Sequence, residues 1–217
     1  MLDRRTCLLA AAWLWIGTAS AQVTPHPELN ARLLVAARQG DAGLVLRLLQ
    51  QGADVDARNR LGKTALRMAA EQGQTALVTA LLQAGASART ASVNDRVTVL
   101  MAASYAGHAD IVQALLAAGA DAAALDRMNK PAVLYAAGQG HRAVLQRLLD
   151  HGVPVDAVYA DGLTALMWAA GQGHAEATRL LLARGADASL KDERGWTAAE
   201  MARRAGHSAV AALFTPG

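Results

Sequence analysis

Four histidines recur in the sequence at a spacing that could suggest a metal site. His108, His141, His174 and His207 follow one another at intervals of 33 residues, each directly after a glycine. Neighbouring helices pack about 8–10 Å apart, whereas a histidine–zinc bond is about 2 Å long, so successive copies cannot share one ion. We therefore predict that each histidine braces a recurring turn and that the chain has no metal site.

Other chemically active residue types also lack a catalytic pattern. Asp54, Asp121 and Asp187 each lie two residues after a recurring glycine, where carboxylates commonly bond to the local backbone. The sequence contains no G-x-S-x-G turn, no H-E-x-x-H zinc motif and no phosphate-binding loop. Its single cysteine is Cys7. We predict no catalytic residues, no cofactor and no enzymatic activity.

The glycines beside these residues form two ladders that run through most of the chain. Glycines of the first ladder are 33 residues apart, with one step of 34, and a second glycine follows twelve residues after each of the first five. The first ladder consists of Gly40, Gly73, Gly107, Gly140, Gly173 and Gly206, and the second of Gly52, Gly85, Gly119, Gly152 and Gly185. A fixed period of this length indicates a repeat protein whose units pack on their neighbours.

Each repeated unit carries the pattern of a pair of helices. Apolar pairs four residues apart, such as Leu77-Val78 and Leu81-Leu82, follow a first-ladder glycine and form a stripe on one helix. We expect the second-ladder glycine to end that helix in a left-handed conformation. A shorter alanine-rich helix precedes each first-ladder glycine, and a threonine such as Thr64 should cap its first amide groups.

Composition favours closely packed helices and gives no indication of nucleic-acid binding. Apolar residues make up 53% of the chain but aromatic residues only 4%, whereas sheet cores are enriched in aromatic and β-branched residues. The formal net charge is +3, and the basic residues are interleaved with acids such as Asp95, Asp126 and Asp161. Nucleic-acid binding usually needs a clustered basic surface, so we expect no nucleic-acid partner.

The first 21 residues have the features of a secretory signal peptide. A charged start is followed by an apolar run from Cys7 to about Ile16, and Ala19 and Ala21 supply the small residues of a cleavage site before Gln22. The run is shorter than the roughly 20 residues of a membrane-spanning helix, although an uncleaved anchor is the alternative. We predict cleavage between Ala21 and Gln22 and a periplasmic or secreted mature chain without a membrane span. Sec and twin-arginine export both stay open.

The repeated unit resembles the ankyrin repeat. The family pattern G-x-T-P-L-H-x-A-A-x-x-G-H is similar to residues 162–174, and the L-L-x-x-G-A-D that ends the unit is matched by residues 181–187. The resemblance covers about residues 29–214 and suggests an exported bacterial protein of about six repeats. It implies an all-α solenoid of stacked helix-turn-helix units with β-hairpin-like fingers. The proline and histidine of the T-P-L-H turn are absent, and one extra residue between Gly85 and Thr98 should lengthen the finger there.

The repeat period also gives a domain organisation. Residues 1–21 are the predicted signal peptide, 22–29 a short N-terminal lead and 30–217 the repeat domain. The predicted units are about residues 30–61, 62–95, 96–128, 129–161, 162–194 and 195–217. The first and last units carry more polar residues, as expected of units that shield the ends of an apolar stack.

Aromatic residues indicate a binding surface on the short helices. Tyr135 and Trp168 occupy the same position in consecutive units and should lie side by side on the concave side, either as framework or as a binding hot spot. Gly138 and Gly171 lie three residues later on the same helical faces, and we expect the missing side chains to leave the rings uncovered. Tyr105 lies where ankyrin-repeat proteins often contact partners. Positions that vary within the family supply a polar surround: Arg60, Lys63, Glu71, Gln72, Asp95, Arg127, Met128, Lys130, Asp161, Glu193, Arg194 and Trp196.

The resemblance implies that the chain recognises another protein. The leading hypothesis is a periplasmic protein-binding module, acting as adaptor or accessory to another exported protein through its concave face and fingers. The alternatives are an inhibitor or immunity protein that covers an enzyme, and a small-molecule binder or enzyme with a pocket on the concave face. We expect a monomer, but the sequence leaves the oligomeric state and the identity of the partner open.

Overall fold

The computed structural model describes residues 26–215, which form twelve α-helices arranged as six successive pairs. The first helices of the pairs are α1 (Pro27–Gln39), α3 (Ala65–Glu71), α5 (Val99–Ala106), α7 (Ala132–Gly138), α9 (Ala165–Gly171) and α11 (Ala198–Arg204). The second helices are α2 (Ala42–Gln50), α4 (Thr75–Gln83), α6 (Ala109–Ala117), α8 (Arg142–Asp150), α10 (Ala175–Ala183) and α12 (Ser208–Ala211). The predicted signal peptide and its cleavage site at Ala21 and Gln22 lie outside the described residues.

The helix pairs stack in sequence order as two layers. In the first layer, the first helix of each pair packs on the first helix of the next pair. In the second layer, the second helices pack on one another in the same order. One hydrophobic cluster runs through every pair and includes Leu33, Leu66, Leu100, Leu134, Leu166 and Met201. Residues 26–215 contain no β-strand, only isolated bridges in two fingers. The predicted all-α solenoid is therefore confirmed.

Threonine side chains begin four of the first-layer helices, as predicted. The hydroxyl groups of Thr64, Thr98, Thr164 and Thr197 each accept a hydrogen bond from the amide three residues later, at 3.2–3.3 Å. These bonds satisfy amide groups that have no partner inside the helix. Pro131 takes the same position before α7, where its fixed φ suits the entry into a helix.

The two glycine ladders have different physical causes. All the ladder glycines have positive φ, which side chains other than glycine rarely adopt. In the first ladder, a Cβ at Gly73 would also lie 2.7 Å from Cε1 of His108, and the same conflict recurs further along the stack. In the second ladder, a Cβ at Gly152 would have no atom within 4 Å. Four first-ladder glycines, Gly73, Gly107, Gly140 and Gly173, therefore leave room for the histidine of the next unit, whereas Gly152 only ends a helix.

Two of the recurring histidines, His141 and His174, brace successive units as predicted. The Nε2 atom of His141 lies 2.9 Å from the carbonyl oxygen of Tyr105, and that of His174 lies 2.8 Å from the carbonyl oxygen of Gly138. Each bond joins the start of a second-layer helix to the end of the first-layer helix of the preceding pair. The helix pairs are thus held by polar bonds as well as by the shared core.

Short fingers connect successive helix pairs. A backbone hydrogen bond closes each finger, from Asn59 to Lys63, Ser92 to Val97, Asp126 to Lys130, Tyr159 to Leu163 and Asp192 to Trp196. The second finger closes over five residues rather than four, which places the extra residue where the sequence predicts it. Neighbouring fingers are also joined, because the amide of Arg127 donates to the carbonyl of Asp95 and that of Glu193 to the carbonyl of Asp161.

None of the helices within residues 26–215 is both long and apolar enough to cross a membrane.

Candidate functional site

The exposed side of the first-layer helices and the neighbouring fingers hold most of the predicted binding residues, and we call this surface the first-layer face. A groove of about 450 Å³ opens on it. Its apolar part is formed by Val97, Met101, Ala102, Tyr105, Ala106 and Tyr135, and its charged part by Arg67 and Glu71. The groove joins residues of three successive helix pairs, so it exists only in the stacked molecule.

Two tyrosines in the groove have different roles. Tyr105 is 55% exposed and meets the ring of Tyr135 edge-on, with ring centroids 6.1 Å apart and an interplanar angle of 80°. Tyr135 is half-buried, and its hydroxyl donates to Oδ2 of Asp126 at 2.5 Å. Burial, followed by this hydrogen bond and the nearby carboxylate charges, raises the pKa of Tyr135 above its usual range. Tyr135 therefore stays a neutral, fixed framework residue that supports the exposed Tyr105.

Asp126 organises the finger beneath Tyr135. Its side chain is almost fully buried, at 3% exposure, and its Oδ1 accepts hydrogen bonds from the amides of Met128 and Lys130 at 2.8 Å. A buried carboxylate needs several donors to offset its lost hydration. The sequence suggested only a surface acid at this position. The signal available was the recurrence of an Asn or Asp at the start of the fingers, at Asn59, Asp126 and Asp192.

The expectation about Gly138 and Gly171 was wrong. A Cβ at Gly138 would lie 2.2 Å from Nε1 of Trp168, so the indole of the next unit occupies the space that the missing side chain leaves. A Cβ at Gly171 would lie 3.6 Å from Cβ of Met201, an ordinary van der Waals contact, so Met201 borders that position without filling it. Side chains on neighbouring helices fill such gaps because interiors are closely packed. Trp168 is half-buried, so the glycines do not leave the aromatic rings uncovered.

A charged network borders the groove. One carboxylate oxygen of Glu71 accepts a hydrogen bond from Nε of Arg67 at 2.9 Å, and the other accepts one from Nζ of Lys63 at 2.7 Å. Arg67 is only 8% exposed, its Nη1 donates to the carbonyl of Val97 at 3.1 Å, and the same atom lies 4.0 Å from Asp95. Sequence reasoning missed Arg67, although a charged residue within an Ala-, Leu- and Met-rich helix was a usable signal. The network fixes the orientation of Glu71 and Lys63.

Cations lie over two indole rings on the first-layer face. Lys130 Nζ lies 4.6 Å from the ring centroid of Trp168. The guanidinium groups of Arg194 and Arg204 lie 4.0 and 4.2 Å from the ring centroid of Trp196. These distances are within the range of cation–π attraction. Sequence reasoning placed Trp196 in the polar surround and treated Arg204 only as part of the terminal cap.

Asp192 holds one of these arginines. Its carboxylate accepts hydrogen bonds from Nε of Arg194 at 2.7 Å and from the amides of Arg194 and Trp196. Burial would raise the pKa of Asp192, but these hydrogen bonds and the charge of Arg194 outweigh it and hold the pKa below its usual value. Asp192 therefore remains ionised and keeps Arg194 beside Trp196.

The structure brings some predicted residues together and separates others. Lys63 contacts Glu71, Tyr105 contacts Tyr135, and Lys130 contacts Trp168. The remaining predicted residues on the fingers are Arg60, Asp95, Arg127, Met128, Asp161, Glu193, Arg194 and Trp196, and Gln72 directly follows α3. Of these, Arg127 donates to the carbonyl of Val93, and Met128 is 63% exposed. Arg60, Met128 and Asp161 lie on three different fingers and do not form one cluster.

The first-layer face combines apolar grooves with ionic groups. Within residues 26–215, no group of three or more His, Cys, Asp or Glu side chains could hold a metal ion. A separate cavity of about 820 Å³ is lined largely by alanines, together with Arg89, Asp121, His151 and Tyr159. Burial raises the pKa of Tyr159, which keeps that hydroxyl neutral. The grooves can take up apolar side chains, and the surrounding ionic groups can pair with charges.

Comparison with protein families gives a match to the family described as Ankyrin repeats (3 copies), over residues 33–126 and 129–217. Comparison with curated proteins gives no match.

Proposed function

We propose that this chain, which belongs to the ankyrin-repeat family, is a protein-binding module that recognises another exported protein through its first-layer face and fingers. The six helix pairs would correspond to six repeats. Ankyrin repeats are generally protein–protein interaction modules. In this proposal the chain acts as an adaptor or accessory to its partner, and an inhibitor that covers an enzyme would use the same surface.

The observation that carries the proposal is the exposed Tyr105 above the fixed Tyr135. A large aromatic side chain that is 55% exposed beside an apolar groove is typical of a binding hot spot. Its support is rigid, because Asp126 holds the hydroxyl of Tyr135 and Glu71 is held by Arg67. A rigid surface loses little conformational freedom when a partner binds, which favours affinity.

The proposed location rests on the N-terminal sequence. The charged start, the apolar run and the Ala-Ser-Ala before Gln22 support export and cleavage by a signal peptidase. We therefore place the mature chain in the periplasm of a bacterium. N-terminal sequencing of the chain purified from the periplasmic fraction should begin at Gln22. A chain that keeps Met1 and stays in the cytoplasmic fraction would contradict this part of the proposal.

Affinity capture with a matched pair of variants tests the binding function. The tagged chain from Gln22 onward is used to capture proteins from a periplasmic extract, alongside Tyr105→Ala and Val158→Ala. Both side chains are more than half exposed, but Val158 is not among the residues that line the groove. We expect one stoichiometric protein that Tyr105→Ala loses and Val158→Ala retains. Equal capture by both variants would refute the proposed surface, and a copurifying small molecule without any protein would refute the function.

A further inference from the structure

A shallow notch of about 330 Å³ lies between α9 and α11, on the same face as the groove. Its apolar walls are Leu163, Met167, Trp168 and Met201 together with Trp196, and Gly171 forms part of its surface. We call it the indole notch. Its volume suits one large apolar side chain, and its two indoles offer broad surfaces for such a contact.

The charged side chains that line the indole notch are all cationic. Its lining contains Arg194 and Arg204 but no Asp or Glu. Lys130 lies over the ring of Trp168. Asp192 neutralises Arg194, whereas no carboxylate among residues 26–215 pairs with Arg204 or Lys130. Cations placed against aromatic rings keep their hydrogen-bond donors available for an incoming anion.

We infer that the indole notch binds an acidic segment of a protein partner, in which one large apolar side chain lies against the two indoles and flanking carboxylates meet Arg204 and Lys130. The inference rests on the proposed function and specifies the chemistry of the partner. Charge complementarity carries it, because an apolar notch with two unneutralised cations selects a segment that is both apolar and acidic. Guanidinium groups are well suited to carboxylates, which they can bind with two parallel hydrogen bonds.

A polyanion fits this surface less well than a short acidic peptide. Binding of single-stranded nucleic acid combines stacked bases with a cationic groove that follows several phosphates. Here the neighbouring finger tips carry the exposed acids Asp161 and Glu193, which would repel a continuous phosphate backbone. The apolar area is also confined to a single notch. A short peptide can place its carboxylates only where the cations are.

Binding of labelled peptides to the full chain tests the inference. The probes are fluorescein-labelled heptapeptides with Phe, Leu or Trp at the central position and Asp or Glu at all six remaining positions. Fluorescence anisotropy measures their binding at low and at physiological salt. We expect saturable binding that weakens as salt is raised. Replacing the central residue by Ser should weaken binding about tenfold, because the buried apolar contact is lost.

Two arginines on α11 supply the variant and its control. Arg204→Gln should weaken binding about three- to fivefold, since it removes the charge but keeps an exposed polar side chain of similar length. Arg203→Gln removes an equally exposed charge from the neighbouring position, which is not part of the notch, and should leave binding unchanged within about twofold. Far-UV circular dichroism confirms that both variants are folded.

Three outcomes would overturn the inference. In the first, none of the peptides binds. In the second, Arg203→Gln and Arg204→Gln weaken peptide binding equally. In the third, oligothymidine or phosphatidylserine vesicles bind more tightly than the peptides, and this binding depends on Arg204. None of them affects the Tyr105-dependent capture of a partner, which tests the proposed function by itself. Conversely, Arg204-dependent peptide binding without any captured protein would support the apolar and acidic preference of the notch but refute the proposed function.

Discussion

Gly138 and Gly171 occupy equivalent positions in consecutive units, yet alanine should have opposite effects at the two sites. Each glycine is the last residue of its first-layer helix and lies outside the left-handed region. At Gly138, the new Cβ would lie 2.2 Å from Nε1 and 2.6 Å from Cδ1 of Trp168. At Gly171, the nearest atom would be Cβ of Met201 at 3.6 Å, an ordinary van der Waals distance. Comparison of the two alanine variants therefore separates the effect of side-chain packing on stability from the effect of helix propensity.

The magnitudes follow from two opposing terms. Alanine is favoured over glycine in a helix by up to about 1 kcal/mol, and we expect about half of that at a helix end. Gly171→Ala should gain this term and be more stable than wild type by about 0.5 kcal/mol. Gly138→Ala gains the same term but must displace the indole, which costs about 1–3 kcal/mol. The difference between the two variants should therefore be about 1–3 kcal/mol, because the propensity term cancels.

Urea unfolding, followed by circular dichroism at 222 nm, measures the difference. The midpoint of Gly138→Ala should fall below that of wild type, and the midpoint of Gly171→Ala should rise slightly. A small domain loses about 1–3 kcal/mol of stability per molar urea, so the two midpoints should be well separated. Equal stabilisation by both substitutions would refute the packing of Trp168 on Gly138, and with it the explanation given for the glycine.

Three further substitutions test other parts of the structure. Arg96 has a φ of 59° in the finger position that glycine occupies at residues 62, 162 and 195. Arg96→Gly should therefore raise the free energy of unfolding, measured by urea denaturation, by up to about 1 kcal/mol. A loss of stability would contradict this. Tyr135→Phe should lower the free energy of unfolding by about 1–3 kcal/mol, because Oδ2 of buried Asp126 loses a hydrogen-bond donor. A neutral effect would exclude the hydrogen bond between Tyr135 and Asp126. Folding lowers the pKa of Asp192, so its ionised form stabilises the protein above about pH 4 and this contribution is lost as pH falls. In thermal unfolding, Asp192→Asn should therefore be less stable than wild type at pH 7 but equally stable in acid. An unchanged difference in stability at low pH would refute the role of the ionised carboxylate.

The architecture could be predicted from the sequence because it depends on local and periodic features. The glycines at fixed intervals reflect left-handed turns, and Thr64 and its counterparts reflect helix caps, both of which are decided within a few residues. The roles of His141 and His174 followed from their period alone, since stacked copies are too far apart to share a ligand. The extra residue before Thr98 could be placed for the same reason: only the fingers tolerate a change of length.

The details of the first-layer face could not be predicted because they depend on neighbours about 30 residues away. The pattern placed Trp168 on the correct helix, but it did not reveal that its ring fills the space beside Gly138. The bond between Tyr135 and Asp126 likewise requires the distance between a helix and a finger. Arg67 was recognisable in principle, because a charged residue in a buried helix needs partners, but its partners Glu71 and Val97 could not be deduced from spacing.

Recognition of a partner on the first-layer face can be tested by the protection of single cysteines from alkylation. In the full chain with Cys7→Ser, one cysteine is introduced at Gln172, which lines the indole notch, or at the equally exposed Gln113 on the second-layer helix α6. The captured partner should slow alkylation of Gln172→Cys and leave that of Gln113→Cys unchanged. Protection of Gln113→Cys with free alkylation of Gln172→Cys would contradict it.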